Sequence, residues 1–113
     1  MKTAIHVVIL LALSALFAVL PARAADAGTG LITELGDANG IALACKQAAN
    51  MSAIKSLMIN TVPKTRANGE LFEHATSESF LRQGSAACPS SDALSARVTE
   101  LEARLKAQFK QGS

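Results

Sequence analysis

The chain contains two cysteines, Cys45 and Cys88, which are 43 positions apart. An even cysteine count in a small chain favours a disulfide, because a small hydrophobic core leaves much of the stability to a cross-link, and such a bond persists in chains that reach an oxidising compartment. The alternative is a redox-active pair, but redox dithiols usually lie close together as Cys-X-X-Cys. The spacing therefore predicts a structural Cys45–Cys88 disulfide that joins two distant parts of the fold.

The amino-terminal residues have the pattern of a secretory signal peptide. Met1-Lys2 supplies a positive charge, residues 5–20 are almost wholly apolar, and residues 22–24 read Ala-Arg-Ala, which suits a cleavage site. A retained membrane anchor is the alternative, but an apolar run of about 16 residues is shorter than the roughly 20 that span a bilayer. We therefore expect a cleaved signal peptide at residues 1–24, a bacterial source with export to the periplasm, and a single small helical domain at residues 25–113.

Removal of the signal peptide would make the chain electrically neutral. The full sequence has 11 Lys and Arg residues against 9 Asp and Glu, and the signal peptide contains two of these cations, Lys2 and Arg23, and no acid. A neutral protein lacks the positive field that attracts nucleic acids and anionic membranes. We therefore expect no nucleic-acid partner and no stable membrane insertion after cleavage.

The composition of residues 25–113 favours an all-α fold. The segment has no Trp or Tyr and is rich in Ala, Leu, Ile and Met. Alanine favours helix strongly, whereas the β-branched and aromatic residues that strands prefer are sparse. Apolar residues recur at intervals of three or four, and Pro63 and Gly84 are expected helix boundaries. The sequence predicts a small bundle of about four helices linked by one disulfide, with helices at roughly residues 31–49, 51–62, 65–83 and 92–110.

A row of small residues in the first helix leaves an alternative open. Gly36 and Gly40 continue at the same spacing to Ala44 and Ala48, and this row would form a smooth groove for a neighbouring helix. Residues 36–40 could equally form a turn, because glycine and asparagine are common there. We favour the continuous helix.

The last helix has the most regular pattern, with an apolar face made by Leu94, Val98, Leu101 and Leu105. This face either packs within the bundle or forms a coiled-coil dimer, and two heptads fall short of the three or four that indicate a coiled coil. We therefore favour packing within the bundle. Along the same helix, the i, i+4 spacing predicts ion pairs between Glu100 and Arg104 and between Glu102 and Lys106.

Several local details follow from residue type. Residues 25–30 have no periodicity and are expected to be a loose lead-in. Asn50 or Ser52 would cap the second helix, and Ser91 or Asp92 the fourth. The third helix is expected to bury one face, made by Ala67, Leu71, Phe72, Ala75, Ser79 and Phe80.

Three surface features are candidate binding sites. Lys64 and Arg66 flank the expected start of the third helix, where backbone N–H groups also point outward, so they are candidates for an anion or partner contact. Ile59 falls on the polar side of the second helix and is a candidate exposed apolar contact. A third feature is the helical face shared by Glu70, His74 and Glu78, which could hold a divalent ion weakly. A zinc site usually has more His or Cys ligands, so we expect a solvated face and no metal.

No enzyme template fits the sequence. A single histidine, His74, remains after signal cleavage, and the serines lie outside any nucleophile-elbow pattern. We therefore expect no catalytic activity and no cofactor.

A signal peptide, a short helical chain and one long-range disulfide together resemble the format of small periplasmic acid-stress chaperones and of secreted helical inhibitors of hydrolases. The resemblance rests on no specific motif and implies no residue roles. The sequence predicts a non-catalytic binding, chaperone-like or inhibitor-type module whose partner is another periplasmic protein. The alternative is a carrier of a small ligand or a weakly bound metal ion.

Overall fold

The computed structural model describes the backbone of residues 20–110 and the side chains from Ala27 onward. The described residues form four helices and no strand, and a disulfide joins Cys45 to Cys88. The predicted all-α bundle of about four helices with one disulfide is therefore confirmed. The helices are α1 (Leu20–Ala44), α2 (Ala48–Asn60), α3 (Arg66–Gln83) and α4 (Ser91–Phe109).

Helix α1 differs from its predicted range of 31–49 at both ends. It continues through residues 25–30, where a loose lead-in was expected. Gly28 lies against α4, and a Cβ there would be 3.3 Å from the ring of Phe109. The neighbouring helix therefore covers a segment that has a weak helix propensity of its own. Most of the predicted signal peptide (residues 1–24) lies outside the described residues.

The carboxyl end of α1 is a Schellman turn. Lys46 adopts a left-handed conformation (φ 56°), and the N–H of Gln47 donates to the carbonyl of Ala42 at 2.8 Å. This turn reverses the chain directly after Ala44. Ala48 and Ala49 consequently belong to α2, which is why the first predicted helix was too long.

The starts of α2 and α4 also differ from prediction. The residue before α2 is Gln47, which makes no side-chain capping bond. Asn50 lies inside the first turn and is 5% exposed; its amide donates to the side-chain oxygen of Gln47 and to the carbonyl of Ser91. Ser90 caps α4 by accepting a hydrogen bond from the N–H of Ala93 at 3.1 Å. Helices α2 and α4 therefore both begin earlier in the chain than the predicted capping residues indicated.

The four helices run alternately up and down. Ion pairs from Asp37 to Arg97 and from Glu34 to Arg104 show that α4 is antiparallel to α1. Helix α2 runs in the same direction as α4, because Asn50 contacts the start of α4 and Ile59 lies beside Phe109 at its end. Helix α3 is parallel to α1. Among the described residues, α1 is the only helix that packs against all three others.

Residues 36–40 are helical, as favoured from the sequence, and the expected groove is occupied by α3. A Cβ on Gly36 would lie 2.7 Å from the carbonyl oxygen of Phe72. A Cβ on Gly40 would lie 2.5 Å from the carbonyl oxygen of Thr76. The two helix backbones therefore approach so closely that only glycine fits at both positions.

The hydrophobic core lies between α1, α2 and α4. The predicted apolar face of α4 is buried in full, which confirms that it packs within the bundle. The inward face predicted for α3 is only partly correct: Ala75 and Ser79 are buried, Leu71 and Phe72 are half-buried, and Ala67 and Phe80 are exposed. The glycine face of α1, which we define by Gly36 and Gly40, accounts for this difference. The two helices approach so closely there that only small side chains fit at the centre of the contact. The buried core residues are Leu31, Ile32, Leu35, Ala38, Ala42, Ile54, Leu57, Val62, Leu94, Val98, Leu101 and Leu105.

Candidate functional site

The connection between α2 and α3 carries two of the predicted contact residues. The N–H groups of Thr61 and Val62 both donate to the carbonyl of Leu57, which closes the end of α2. Val62 is buried in the core. Thr65 then caps α3 by accepting a hydrogen bond from the N–H of Asn68 at 3.1 Å. The connection is therefore held at both ends by hydrogen bonds and by a buried side chain.

A surface groove of about 470 Å³ lies beside this connection. We call it the corner groove; it is lined by Ile59, Asn60, Thr61, Val62, Pro63, Lys64 and Phe109. Ile59 is 52% exposed, as its position on the polar side of α2 predicted. Among the described residues, Lys64 has no ion-pair partner. An exposed apolar side chain and a lysine are thus brought together in one concave surface.

Arg66 does not belong to the corner groove. Its guanidinium lies 3.6 Å from the carboxylate of Glu70, one turn along α3, and its side chain is 92% exposed. Such an exposed pair contributes little to stability. Of the two candidate cations, Lys64 lines the corner groove, and Arg66 pairs with Glu70 instead.

Phe109 is a groove residue that was not predicted as a contact. Its position at the end of the apolar repeat of α4 was visible in the sequence. Its proximity to Ile59 depends on α2 and α4 running in the same direction, and no local spacing reveals that arrangement. Phe109 is half-buried and packs against the core.

A second exposed apolar region lies at the other end of the bundle, near the disulfide. The side chain of Asn39 on α1 donates to Thr76 on α3 at 3.2 Å. Leu43 and Phe80 each follow one helical turn later on these parallel helices, and both are exposed. Leu81 is 76% exposed and lies on the side of α3 that faces away from α1.

Asp37 links three helices, and this arrangement was not predicted. One carboxylate oxygen accepts a hydrogen bond from Arg82 of α3 at 2.5 Å, and the other accepts one from Arg97 of α4 at 3.1 Å. The backbone carbonyl of Asp37 also accepts a hydrogen bond from Ser79 at 2.6 Å. The carboxylate is thus shared by two guanidinium groups and its charge is compensated, which makes it a structural tie.

The predicted ion pairs of α4 have different outcomes. Lys106 and Glu102 lie 3.5 Å apart, as expected. Arg104 instead pairs with Glu34 of α1 at 3.2 Å, so the expected partner Glu100 is not used. The tertiary contact replaces the local one because α4 lies antiparallel against α1.

The face with Glu70, His74 and Glu78 does not assemble into one site. The imidazole of His74 lies 3.3 Å from the carboxylate of Glu78, while Glu70 is paired with Arg66. Among the residues that the structure describes, no group of three or more His, Cys, Asp or Glu side chains is placed to hold a metal ion. None of the described helices combines the length and hydropathy that crossing a membrane requires.

Comparisons of the chain with protein-family models, with curated proteins and with solved structures find no match. A functional interpretation therefore depends on the chemistry of the surface alone.

Proposed function

We propose that this chain is a small exported, non-catalytic helical protein that binds another protein, as an interaction, chaperone-like or inhibitor-type module. The corner groove is the observation that carries the proposal. It combines the exposed side chain of Ile59 and the half-buried ring of Phe109 with the ammonium group of Lys64, which pairs with no carboxylate among the described residues. Concave surfaces that expose apolar side chains beside a charged rim are typical of protein contacts.

The chemistry of the groove indicates what it would bind. Apolar side chains on the partner would displace water from Ile59 and Phe109, and a carboxylate would pair with Lys64. The end of α2 that forms the groove is closed by hydrogen bonds to the carbonyl of Leu57 and anchored by buried Val62, so this part of the groove loses little conformational entropy on binding. These features favour a partner segment that carries an apolar residue next to an acidic one.

The alternative, a carrier of a small ligand or a weakly bound metal ion, has less support. The candidate metal ligands on α3 are divided between two separate pairs. Of the candidate anion contacts, Lys64 lines the corner groove and Arg66 is paired with Glu70 of its own helix. Neither arrangement concentrates several donor groups on one point.

Export to the periplasm is part of the proposal. A structural disulfide persists in an oxidising compartment, whereas the cytosol keeps most thiols reduced. The Cys45–Cys88 link fits such a compartment. Mass analysis of the secreted protein tests it: the expected amino terminus is Ala25, and the thiol count is zero.

The binding proposal is tested by suppression of aggregation. An unfolding client protein is followed by light scattering at neutral and acidic pH, with wild type, Ile59→Glu or Leu81→Glu present. Leu81 is a matched control, because it is an exposed apolar helix residue outside the groove. Both substitutions should change the free energy of unfolding by no more than about 0.5 kcal/mol.

Wild type and Leu81→Glu should reduce the scattering, and Ile59→Glu should lose most of this effect. If both variants lose it equally, the corner groove is not the binding surface. If wild type does not reduce scattering and cross-links to no exported protein, the binding proposal is wrong.

A further inference from the structure

Helix α3 contributes much less to the core than the other three helices. All twelve residues of the buried core cluster belong to α1, α2, α4 or the connection after α2. From α3, only the half-buried Leu71 and Phe72 pack against that cluster. The residues of α3 that are fully buried are the small ones, Ala75 and Ser79. Burial of small side chains provides little hydrophobic stabilisation.

The contact that holds α3 is made instead by close backbone approach and by polar bonds. The glycines at positions 36 and 40 of α1 allow the approach. Ser79 and Arg82 of α3 bind the backbone carbonyl and the carboxylate of Asp37, and Thr76 accepts a hydrogen bond from Asn39. Exposed ion pairs and single hydrogen bonds have modest net free energies. The α1–α3 contact is therefore specific in shape and weak in hydrophobic content.

The disulfide bypasses α3. Cys45 directly follows α1 and Cys88 lies three residues before α4, so the covalent link joins the ends of two core helices. At the other end of α3, buried Val62 anchors the chain to the core. The core of α1, α2 and α4 therefore keeps its connections whether or not α3 is docked.

We propose that α3 is a displaceable helix, which undocks from α1 as a unit while α1, α2 and α4 stay folded. Undocking uncovers Leu71, Phe72 and the glycine face of α1. The segments that release the helix are residues 63–65 and 84–87, which reach about 10–14 Å when extended. This length is an upper limit on the distance between each end of α3 and the core, so α3 stays tethered beside the core when it leaves its groove. This inference does not depend on the proposed binding function.

A pair of glycine substitutions on the same helix tests the proposal. Gly40→Ala places a methyl group against backbone atoms of α3, which cannot move aside cheaply. Gly30→Ala is the matched control, because nothing lies within 4 Å of a Cβ there. Both changes raise the helix propensity of α1 by a similar amount, so only the α1–α3 contact differs.

The measurement is amide hydrogen exchange with mass spectrometry on the intact, oxidised chain. In Gly40→Ala we expect exchange in residues 70–83 to be faster by about tenfold or more, with α2 and α4 unchanged. In Gly30→Ala we expect no acceleration in α3. Equal acceleration of all four helices by Gly40→Ala, or no acceleration of α3, would overturn the proposal.

Wild-type exchange in low denaturant keeps the proposal testable if Gly40→Ala does not fold. The amides of α3 should then open at a lower denaturant concentration than those of α2 and α4. Opening of all four helices in one transition would show that α3 is an integral part of the fold.

Discussion

Removal of the disulfide is expected to cost a large part of the stability of this small bundle. The bond closes a loop with 43 residues of sequence separation. In the chain-entropy model, a cross-link over this length raises the free energy of unfolding by about 4 kcal/mol, chiefly by restricting the unfolded chain. A domain of this size is typically stable by only about 5–10 kcal/mol. The Cys45→Ser, Cys88→Ser double variant should therefore lose about 4 kcal/mol.

The assay is urea unfolding and thermal unfolding, each followed by circular dichroism. A loss of this size should lower the melting temperature by about 15–30 °C, at 4–8 °C per kcal/mol for a domain of this length. Wild type treated with a reducing agent is the control. It loses the same cross-link but keeps both cysteine side chains, so its free energy of unfolding should fall by the same amount as in the double variant. A loss below about 1 kcal/mol would refute the loop-closure reasoning. If the double variant loses about 4 kcal/mol but reduced wild type does not, the loss comes from the packing of the substituted side chains and not from the cross-link.

Three further substitutions test particular residues. Leu101→Asp puts a charge at a residue that is 2% exposed, so the free energy of unfolding should fall by about 3 kcal/mol or more. A melting temperature that barely changes would mean that α4 is not part of the core. Thr65→Ala removes the cap of α3 and should cost about 1 kcal/mol; an unchanged denaturation midpoint would contradict the capping role. His74→Ala should change stability by no more than about 0.5 kcal/mol, and added zinc should shift neither wild type nor variant; a zinc-dependent rise in the wild-type melting temperature alone would show a metal site after all.

The sequence predicted the parts of this fold that depend on local spacing. The apolar repeat of α4, the boundary at Pro63 and the glycine at the end of α3 all act within a few residues, and the structure contains each of them. The disulfide was predictable because only two cysteines are present. The continuous helix through residues 36–40 was favoured for its small-residue row, and the close approach of α3 explains that row.

The features that were missed depend on contacts between distant residues. Asp37 lies 45 and 60 positions from the two arginines that it binds, and no local pattern relates them. Helix α1 continues through the two glycines at positions 28 and 30, which have weak helix propensity, and Phe109 packs against the first of them. Ile59 and Lys64 were each singled out, but their common groove requires the direction of α4, which brings Phe109 beside them.

The buried position of Asn50 has a consequence for producing the protein in other hosts. Asn50-Met51-Ser52 has the Asn-X-Ser form that directs N-linked glycosylation in a secretory pathway. The Asn50 amide that would carry the sugar is instead used to hold the first turn of α2 against the start of α4. A glycan attached during translocation would replace one of the two Asn50 amide hydrogens, so one of these two hydrogen bonds would be lost, and it would place a bulky polar group at a residue that is 5% exposed. In a glycosylating host the modified chains should therefore fail to fold, whereas chains that fold first should keep Asn50 unmodified.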